Sequence, residues 1–127
     1  KQQYNQNFWY CMAMSTYWGD QDEARMRQWC KRAYQYAKHD VQKLFALNVL
    51  AGRELSKPGY GNAIKLYRRI TELDPEDPWA WHNLSYVYWH TGQYAQCEEC
   101  NKRALNIMDF GPARQIQDAL AKRNNGQ

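Results

Sequence analysis

The sequence has few β-branched residues and only four prolines, so it offers little material for a β-sheet. Its apolar residues are mainly tyrosine, tryptophan and alanine, against a background rich in glutamine, asparagine and arginine. This composition favours helices over strands. With 127 residues the chain is long enough to bury a hydrophobic core without disulfide bonds or metal ions, and we expect a single domain over residues 1–127.

Long apolar runs and a strong charge of one sign are also missing. No segment approaches the roughly 18 consecutive apolar residues of a membrane-spanning helix, and no signal segment opens the chain. We therefore expect no membrane span. The net charge of +4 is small for a nucleic-acid-binding protein, so charge alone does not select a partner. The chain begins at Lys1 rather than Met, and we expect a processed chain or a part of a larger protein.

Cysteine is scarce as well, since four cysteines are too few for a disulfide scaffold. They are Cys11, Cys30, Cys97 and Cys100. The pair in CEEC at 97–100 lies in a helical stretch, and no second pair completes the four ligands that zinc requires. We therefore expect reduced thiols, no metal site and a cytoplasmic location.

Catalytic motifs are absent from the sequence. It contains no Gly-x-Ser-x-Gly motif, no phosphate-binding loop and no catalytic carboxylate dyad. His82 and His90 lie eight residues apart, whereas a metal-binding pair on a helix lies four apart. A catalytic histidine also needs a nucleophile and an orienting group beside it. We predict that the protein is not an enzyme and binds no cofactor.

What the sequence does contain is a repeat with a period of 34 residues. Apolar and small side chains recur at that distance in a single register. The matched pairs are Leu47 and Trp81, Leu50 and Leu84, Ala51 and Ser85, Tyr60 and Tyr94, Ala63 and Cys97, Ile70 and Ala104, and Leu73 and Ile107. Within each repeat the spacing i, i+3, i+4 is that of one face of a helix. The repeat therefore organises the fold.

Each repeat is interrupted once near its middle and again at its end. KPGYG at 57–61 and TGQY at 91–94 contain the glycine and proline residues that end a helix. In LDPEDP, Pro75 and Pro78 prevent the helix from continuing, and Asp77 is placed to cap the next one. Each repeat is therefore predicted to be a helical hairpin.

This pattern resembles the tetratricopeptide repeat (TPR) family, whose repeats place large, small and aromatic residues at fixed positions. The third repeat supplies these positions with Trp81, Leu84, Ser85, Tyr88, Gly92, Tyr94, Cys97 and Ala104. The second repeat supplies Leu47, Leu50, Ala51, Tyr60, Ala63, Tyr67 and Pro75. The departures from the family pattern are Glu54, Asn101 and Asp109. The first repeat resembles the apolar positions on the first helix of the other repeats at Trp9, Met12 and Ala13.

The resemblance implies an all-α fold, a right-handed α-solenoid of three antiparallel helix hairpins with a capping helix. The three hairpins would span about residues 5–40, 44–76 and 78–109. The capping helix would span about residues 112–123, where Ile116, Ala119 and Leu120 share one side.

The resemblance also implies a binding surface. In TPR proteins the exposed side of the first helix of each hairpin lines a concave groove. The third repeat needs Trp81, Leu84 and Tyr88 for its core, which leaves further aromatic residues on the flank of the same helix. The predicted partner-binding residues are Tyr10, Met14, Tyr17, Asn48, Trp79, His82, Asn83, Tyr86, Trp89 and His90. The alternative is that these aromatic residues pack between repeats or against another domain.

A second hypothesis comes from basic residues that align between the repeats, namely Lys31-Arg32, Arg68-Arg69 and Lys102-Arg103. Stacked repeats would join them into a ridge along the outer helices that could bind RNA or another anionic polymer. A solvated charged face is the commoner outcome. We therefore predict an interaction scaffold or adaptor with a protein or peptide partner, and RNA binding is the less expected alternative. The oligomeric state stays open.

Overall fold

The computed structural model describes residues 5–55 and 58–126, and within these ranges every regular element is helical. The α-helices are α1 (Phe8–Trp18), α2 (Glu23–Gln35), α3 (Asp40–Gly52), α4 (Tyr60–Leu73), α5 (Pro78–His90), α6 (Tyr94–Ile107) and α7 (Gly111–Asn124). The predicted all-α class is confirmed. None of the described helices combines the length and the apolar character needed to cross a membrane.

The chain divides into two compact units, an N-terminal unit of residues 1–53 and a C-terminal unit of residues 54–127. In the N-terminal unit, α2 packs against both α1 and α3. In the C-terminal unit, α5 packs against α4 and α6, and α7 packs against α6 and also contacts α5. The second predicted hairpin is divided between the units, because α3 lies in one and α4 in the other. The single domain and the right-handed solenoid therefore stay predictions.

Three helices begin where a side chain satisfies a free backbone amide. Asn7 Oδ1 accepts a hydrogen bond from the amide of Tyr10 (2.9 Å) at the start of α1. Asp22 caps α2 in the same way. Asp77 caps α5, where its carboxylate accepts from the amide of Trp79 (3.0 Å), and Pro78 occupies the first helical position. The predicted role of Asp77 is confirmed.

The turn after α5 depends on a glycine. Gly92 has a φ of 76°, a backbone conformation that side-chain-bearing residues adopt at a cost. The amide of Gln93 then donates to the carbonyl of Tyr88 (2.9 Å), which ties the turn back to the helix. The chain reverses there, so α5 and α6 form the third predicted hairpin.

The core of the C-terminal unit follows the 34-residue period. Ala63 on α4 and Cys97 on α6 are both fully buried, as are Ile70 and its counterpart Ala104. Small side chains at these positions allow neighbouring helices to approach closely. The predicted packing role of these four positions is confirmed.

The register predicted for α1 is wrong by one residue. The structure buries Phe8, Cys11, Met12 and Ser15, whereas Trp9 is 56% exposed and Ala13 is exposed. The reason is a hydrogen bond between helices, because Ser15 Oγ donates to the carbonyl of Met26 on α2 (2.9 Å). Burying Phe8 instead of Trp9 turns Ser15 towards α2 and satisfies its hydroxyl.

Candidate partner-binding groove

The flank of α5 opposite its core carries a stripe of aromatic and polar side chains. Trp79, Tyr86 and His90 lie at i, i+7 and i+11, a spacing that keeps them on one side of the helix. Trp79 is 47% exposed, Tyr86 is partly exposed and His90 is exposed. The stripe therefore faces away from the packed core of the helix.

A groove of about 320 Å³ runs between this flank of α5 and helix α7. Its walls are His82, Tyr86, Trp89 and His90 from α5, with Pro112, Gln115, Ile116 and Ala119 from α7. Four of the predicted partner-binding residues thus line one cavity. Trp79 and Asn83 lie on α5 outside this lining, and Asn83 is partly exposed.

The α7 wall is fixed in place by a residue that departs from the family pattern. Asn101 on α6 is buried, and its Nδ2 donates to the carbonyl of Ala113 on α7 (2.9 Å). Ala113 and Leu120 are buried on the same helix. The family pattern places an aromatic residue here, and a phenylalanine ring would have no donor for this hydrogen bond. The departure therefore anchors the helix that forms half of the groove.

Ring contacts hold the α5 wall at both ends. The His90 ring stacks on Tyr60 at the start of α4, with ring centroids 5.5 Å apart and planes within 14°. It also lies 4.4 Å from the Tyr86 ring. At the other end, Trp79 contacts Phe110 at 4.7 Å. These contacts restrict the side chains in advance, which lowers the entropic cost of binding a partner.

His82 is the polar group at the base of the groove. It is buried beside the Trp79 and Phe110 rings, with centroids 5.7 and 5.6 Å away. Its Nδ1 has no hydrogen-bond partner among the described residues. Burial lowers the pKa of His82 below its ordinary value of 6.5, because desolvation disfavours the imidazolium. The imidazole is therefore neutral at physiological pH.

Because the pKa of His82 is lowered in the folded chain, acidic pH should destabilise the C-terminal unit. Its folded-state pKa is lowered, so the unfolded chain binds the proton more readily than the folded chain does. We expect the free energy of unfolding to fall as the pH drops below 6.5 and the loss to level off below the folded-state pKa. Urea unfolding at pH 7.5 and 5.5 measures this loss. His82→Phe should show a smaller loss than the wild type, because it lacks the titrating imidazole. An equal loss in the two proteins would contradict the assignment.

Among the described residues that line the groove, none is a lysine, an arginine or a carboxylate. Apart from the histidines, its lining residues are aromatic, aliphatic or amide side chains. A larger cavity of about 690 Å³ lies on the other side of α5, between α4 and α6, and its rim carries Arg68, Glu72, Glu99 and Arg103. The groove between α5 and α7 is thus the less charged of the two, which suits apolar contacts.

Trp81 differs from its prediction as a core residue. It is only partly buried and lines the larger cavity, whereas Leu84 and Tyr88 are buried as predicted. Its indole N–H donates to the carbonyl of Pro75 (2.9 Å), and the Arg103 guanidinium lies 4.9 Å from the ring centroid. The ring therefore covers the core from outside and is itself covered by an arginine.

The other predicted binding residues lie in the N-terminal unit and are described there alone. Tyr10 contacts Trp29 of α2 at a centroid distance of 5.8 Å, Tyr17 contacts Trp18 at 5.1 Å, and Met14 is partly buried. Asn48 on α3 is exposed and donates to the carbonyl of Leu44 (2.9 Å).

Sequence reasoning missed that Trp9 is exposed in the N-terminal unit and pairs with the exposed Phe45. Trp9 of α1 and Phe45 of α3, which is 47% exposed, have ring centroids 5.7 Å apart. The one-residue shift in α1 moves Trp9 from the core to the surface. The sequence holds one clue to this pair. Phe8 is a second large residue that can begin the buried face of α1, which leaves Trp9 exposed.

The α7 wall of the groove was also missed, although the sequence holds a clue. Pro112 follows Pro78 by 34 residues, so α7 begins where the first helix of a further repeat would begin. A first helix contributes to the groove in this family. The period thus points to Ile116 and Ala119 as groove residues as well as capping residues.

Three of the aligned basic residues in the C-terminal unit pair with carboxylates on their own helices. Arg69 pairs with Glu72 (3.4 Å) on α4. On α6, Lys102 pairs with Glu98 (3.6 Å) and Arg103 with Glu99 (3.3 Å). These exposed pairs contribute little to stability, but they neutralise the surface that the RNA-binding hypothesis needs to be positive.

All four cysteines are buried and free. Burial raises the pKa of Cys30 and Cys97 to about 11 and that of Cys100 to about 12, so these thiols are protonated at neutral pH. In the described ranges, no group of three or more His, Cys, Asp or Glu side chains is arranged to hold a metal ion. Cys97 fills the position where the repeat places a small packing residue.

The fold and the groove define a class: a helical-repeat protein with an apolar cleft between helices. Residues 66–99 match the family model for the tetratricopeptide repeat, and the resemblance is confirmed for that segment. The matched segment includes all of α5, the helix that forms one wall of the groove. Repeats of this family are generally protein–protein interaction modules. Comparisons with curated proteins and with solved structures gave no match.

Proposed function

We propose that the protein is an interaction scaffold that binds an extended or helical segment of a partner protein in the groove between α5 and α7. The observation that carries the proposal is the convergence of His82, Tyr86, Trp89 and His90 with the apolar side of α7 around one cavity. A cavity of about 320 Å³ has room for side chains of a bound segment.

The chemistry of the groove favours apolar and aromatic anchors in the partner. Tyrosine and tryptophan give a large contact area at a low cost in side-chain entropy, and they are frequent binding hot spots. His90 and Gln115 can donate or accept hydrogen bonds at the rim. Within the part of the chain that the structure describes, no lysine, arginine or carboxylate lines the cavity, so charge contributes little to this contact.

The proposal describes a scaffold or adaptor rather than an enzyme, with a protein or peptide partner. We propose Trp79 and Asn83 as further partner-binding residues at the edge of the groove. Within the N-terminal unit, we propose Tyr10, Met14, Tyr17 and Asn48 as partner-binding residues of that unit. A cytoplasmic location is part of the proposal and is supported by four free, buried thiols.

Affinity capture with the full chain as bait tests the groove. A segment bound there should be lost when Ile116→Arg places a charge in one wall, and weakened by about 2 kcal/mol or more when Tyr86→Ala truncates the other. Met108→Ala removes an exposed apolar side chain outside the groove and should bind like the wild type. Circular dichroism should show all three folded.

Two results would count against the groove. One is a partner that binds Ile116→Arg as tightly as the wild type. The other is an affinity that falls by orders of magnitude between about 50 and 200 mM salt, because such a dependence belongs to phosphate contacts and not to an uncharged cavity.

A further inference from the structure

Helix α2 carries a second distinctive surface, which lies in the N-terminal unit and plays no part in the groove. Gln28, Lys31 and Gln35 are spaced i, i+3 and i+7, with Trp29 and Arg32 beside them on the same side of the helix. These five residues line a shallow cavity of about 450 Å³. We call them the α2 outer face.

The positive charge of the protein is concentrated in the unit that contains this face. Residues 1–53 contain eight Lys and Arg against four Asp and Glu, whereas residues 54–127 contain nine of each. The net charge of +4 therefore belongs to the N-terminal unit. An anionic partner is attracted to this unit and not to the other.

Within α2 the unneutralised charge lies in the second half of the helix. Arg25 pairs with Asp22 (3.5 Å) and Arg27 with Glu23 (2.8 Å) in the first turns. In the described chain, no carboxylate lies within ion-pair distance of Lys31 or Arg32, and both are exposed. Their counterparts on α6 are both paired with glutamates. Lys31 and Arg32 are therefore available to an acidic partner.

An apolar ring lies directly beside these charges. The Arg32 guanidinium is 5.1 Å from the centroid of the Trp29 ring, and Tyr10 meets that ring edge-on at 5.8 Å. Arginine held over an aromatic ring keeps its donors in a fixed plane, which suits a carboxylate. Gln28 and Gln35 add amide groups that can bond to a peptide backbone.

We propose that the α2 outer face binds an acidic segment of a protein, in which glutamate or aspartate residues flank an aliphatic or aromatic residue. Its carboxylates pair with Lys31 and Arg32, and its apolar side chain rests against Trp29. The short reach of the face favours a peptide over a nucleic acid. From Gln28 to Gln35 the helix rises roughly 10 Å, and towards the start of α2 the basic residues Arg25 and Arg27 are already paired with carboxylates.

Fluorescence anisotropy with the full chain and a labelled peptide of alternating glutamate and leucine tests this site. We expect that peptide to bind and its affinity to fall at least about tenfold when Lys31→Glu and Arg32→Glu are combined. Trp29→Ala should weaken binding several-fold. The matched control combines Lys102→Glu with Arg103→Glu on α6 and should leave the affinity unchanged, since those charges are already paired.

Two further probes make the test decisive. A peptide of alternating glutamine and leucine should bind much more weakly, because it lacks the carboxylates, and an oligouridine of about twelve nucleotides should bind more weakly than the glutamate peptide. Absence of glutamate-peptide binding, equal binding of the glutamine peptide, or an equal loss in the α6 control would overturn the proposal. Tighter binding of oligouridine would assign the face to nucleic acid instead. The groove variant Tyr86→Ala should bind the glutamate peptide normally, which separates this site from the groove.

Discussion

Tyr88→Ala lowers the free energy of unfolding by about 3–5 kcal/mol, the range for truncating a large buried aromatic side chain, whereas Tyr86→Ala lowers it by less than about 1 kcal/mol. The two tyrosines lie two residues apart on α5 and differ in the side of the helix that they occupy. Tyr88 is 7% exposed and packs in the core, while Tyr86 is partly exposed at the groove. The substitution is chemically identical, so the difference isolates burial.

Urea unfolding followed by circular dichroism measures both variants on one scale, and the Tyr88→Ala melting temperature should drop by roughly 10 °C or more. Partner binding gives the converse readout, because Tyr86→Ala should weaken binding in a protein that remains folded. If Tyr86→Ala unfolded the protein as Tyr88→Ala does, the flank of α5 would be packing surface and the proposed groove would lose its main support.

The C-terminal unit could be predicted from the sequence because the residues that begin and end its helices agree with the residues that pack in its core. Asp77 and Pro78 start α5, Gly92 ends it, and the small residues Ala63 and Cys97 recur at the period of the repeat. Each of these residues fixes local backbone or local volume, so its effect is visible without knowledge of the neighbours. The positions of the small buried residues followed directly, whereas the partial exposure of Trp81 did not.

Helix α1 could not be placed in the same way, because Phe8 and Trp9 are adjacent and either could begin the buried stripe. Size favours Trp9 as the buried residue, but the contacts between helices bury Phe8 instead. In the register that buries Phe8, Ser15 Oγ donates to the carbonyl of Met26 on α2. A hydrogen bond between helices is invisible to helical periodicity, which records only apolar spacing.

Only the α5 wall of the groove could be predicted, because the position of the α7 wall depends on a hydrogen bond between helices. The residues of α5 belong to a recognised repeat, so their exposed flank could be assigned. The opposite wall depends on where α7 packs, and this is set by the buried amide of Asn101 and the carbonyl of Ala113. Asn101 was visible in the sequence only as a departure from the family pattern. Its structural role depends on its partner, the carbonyl of Ala113, which lies on another helix.

Ala63→Leu tests the packing on which the repeat register depends. Ala63 is fully buried on α4, and its counterpart one period later, Cys97, is fully buried on α6. Three added carbon atoms have no free volume there, because protein interiors are packed as densely as organic crystals. The helices must move apart or the leucine must leave its preferred rotamer, which should cost about 1–3 kcal/mol.

The matched control for this change is Lys65→Leu, two residues along the same helix and exposed. It introduces the same side chain where nothing confines it, so the free energy of unfolding should stay within about 0.5 kcal/mol of the wild type. Urea unfolding of the two variants beside the wild type gives the comparison. A neutral Ala63→Leu would mean that the helices do not meet closely at this residue, and the 34-residue register would then have placed the small residues of the repeat incorrectly.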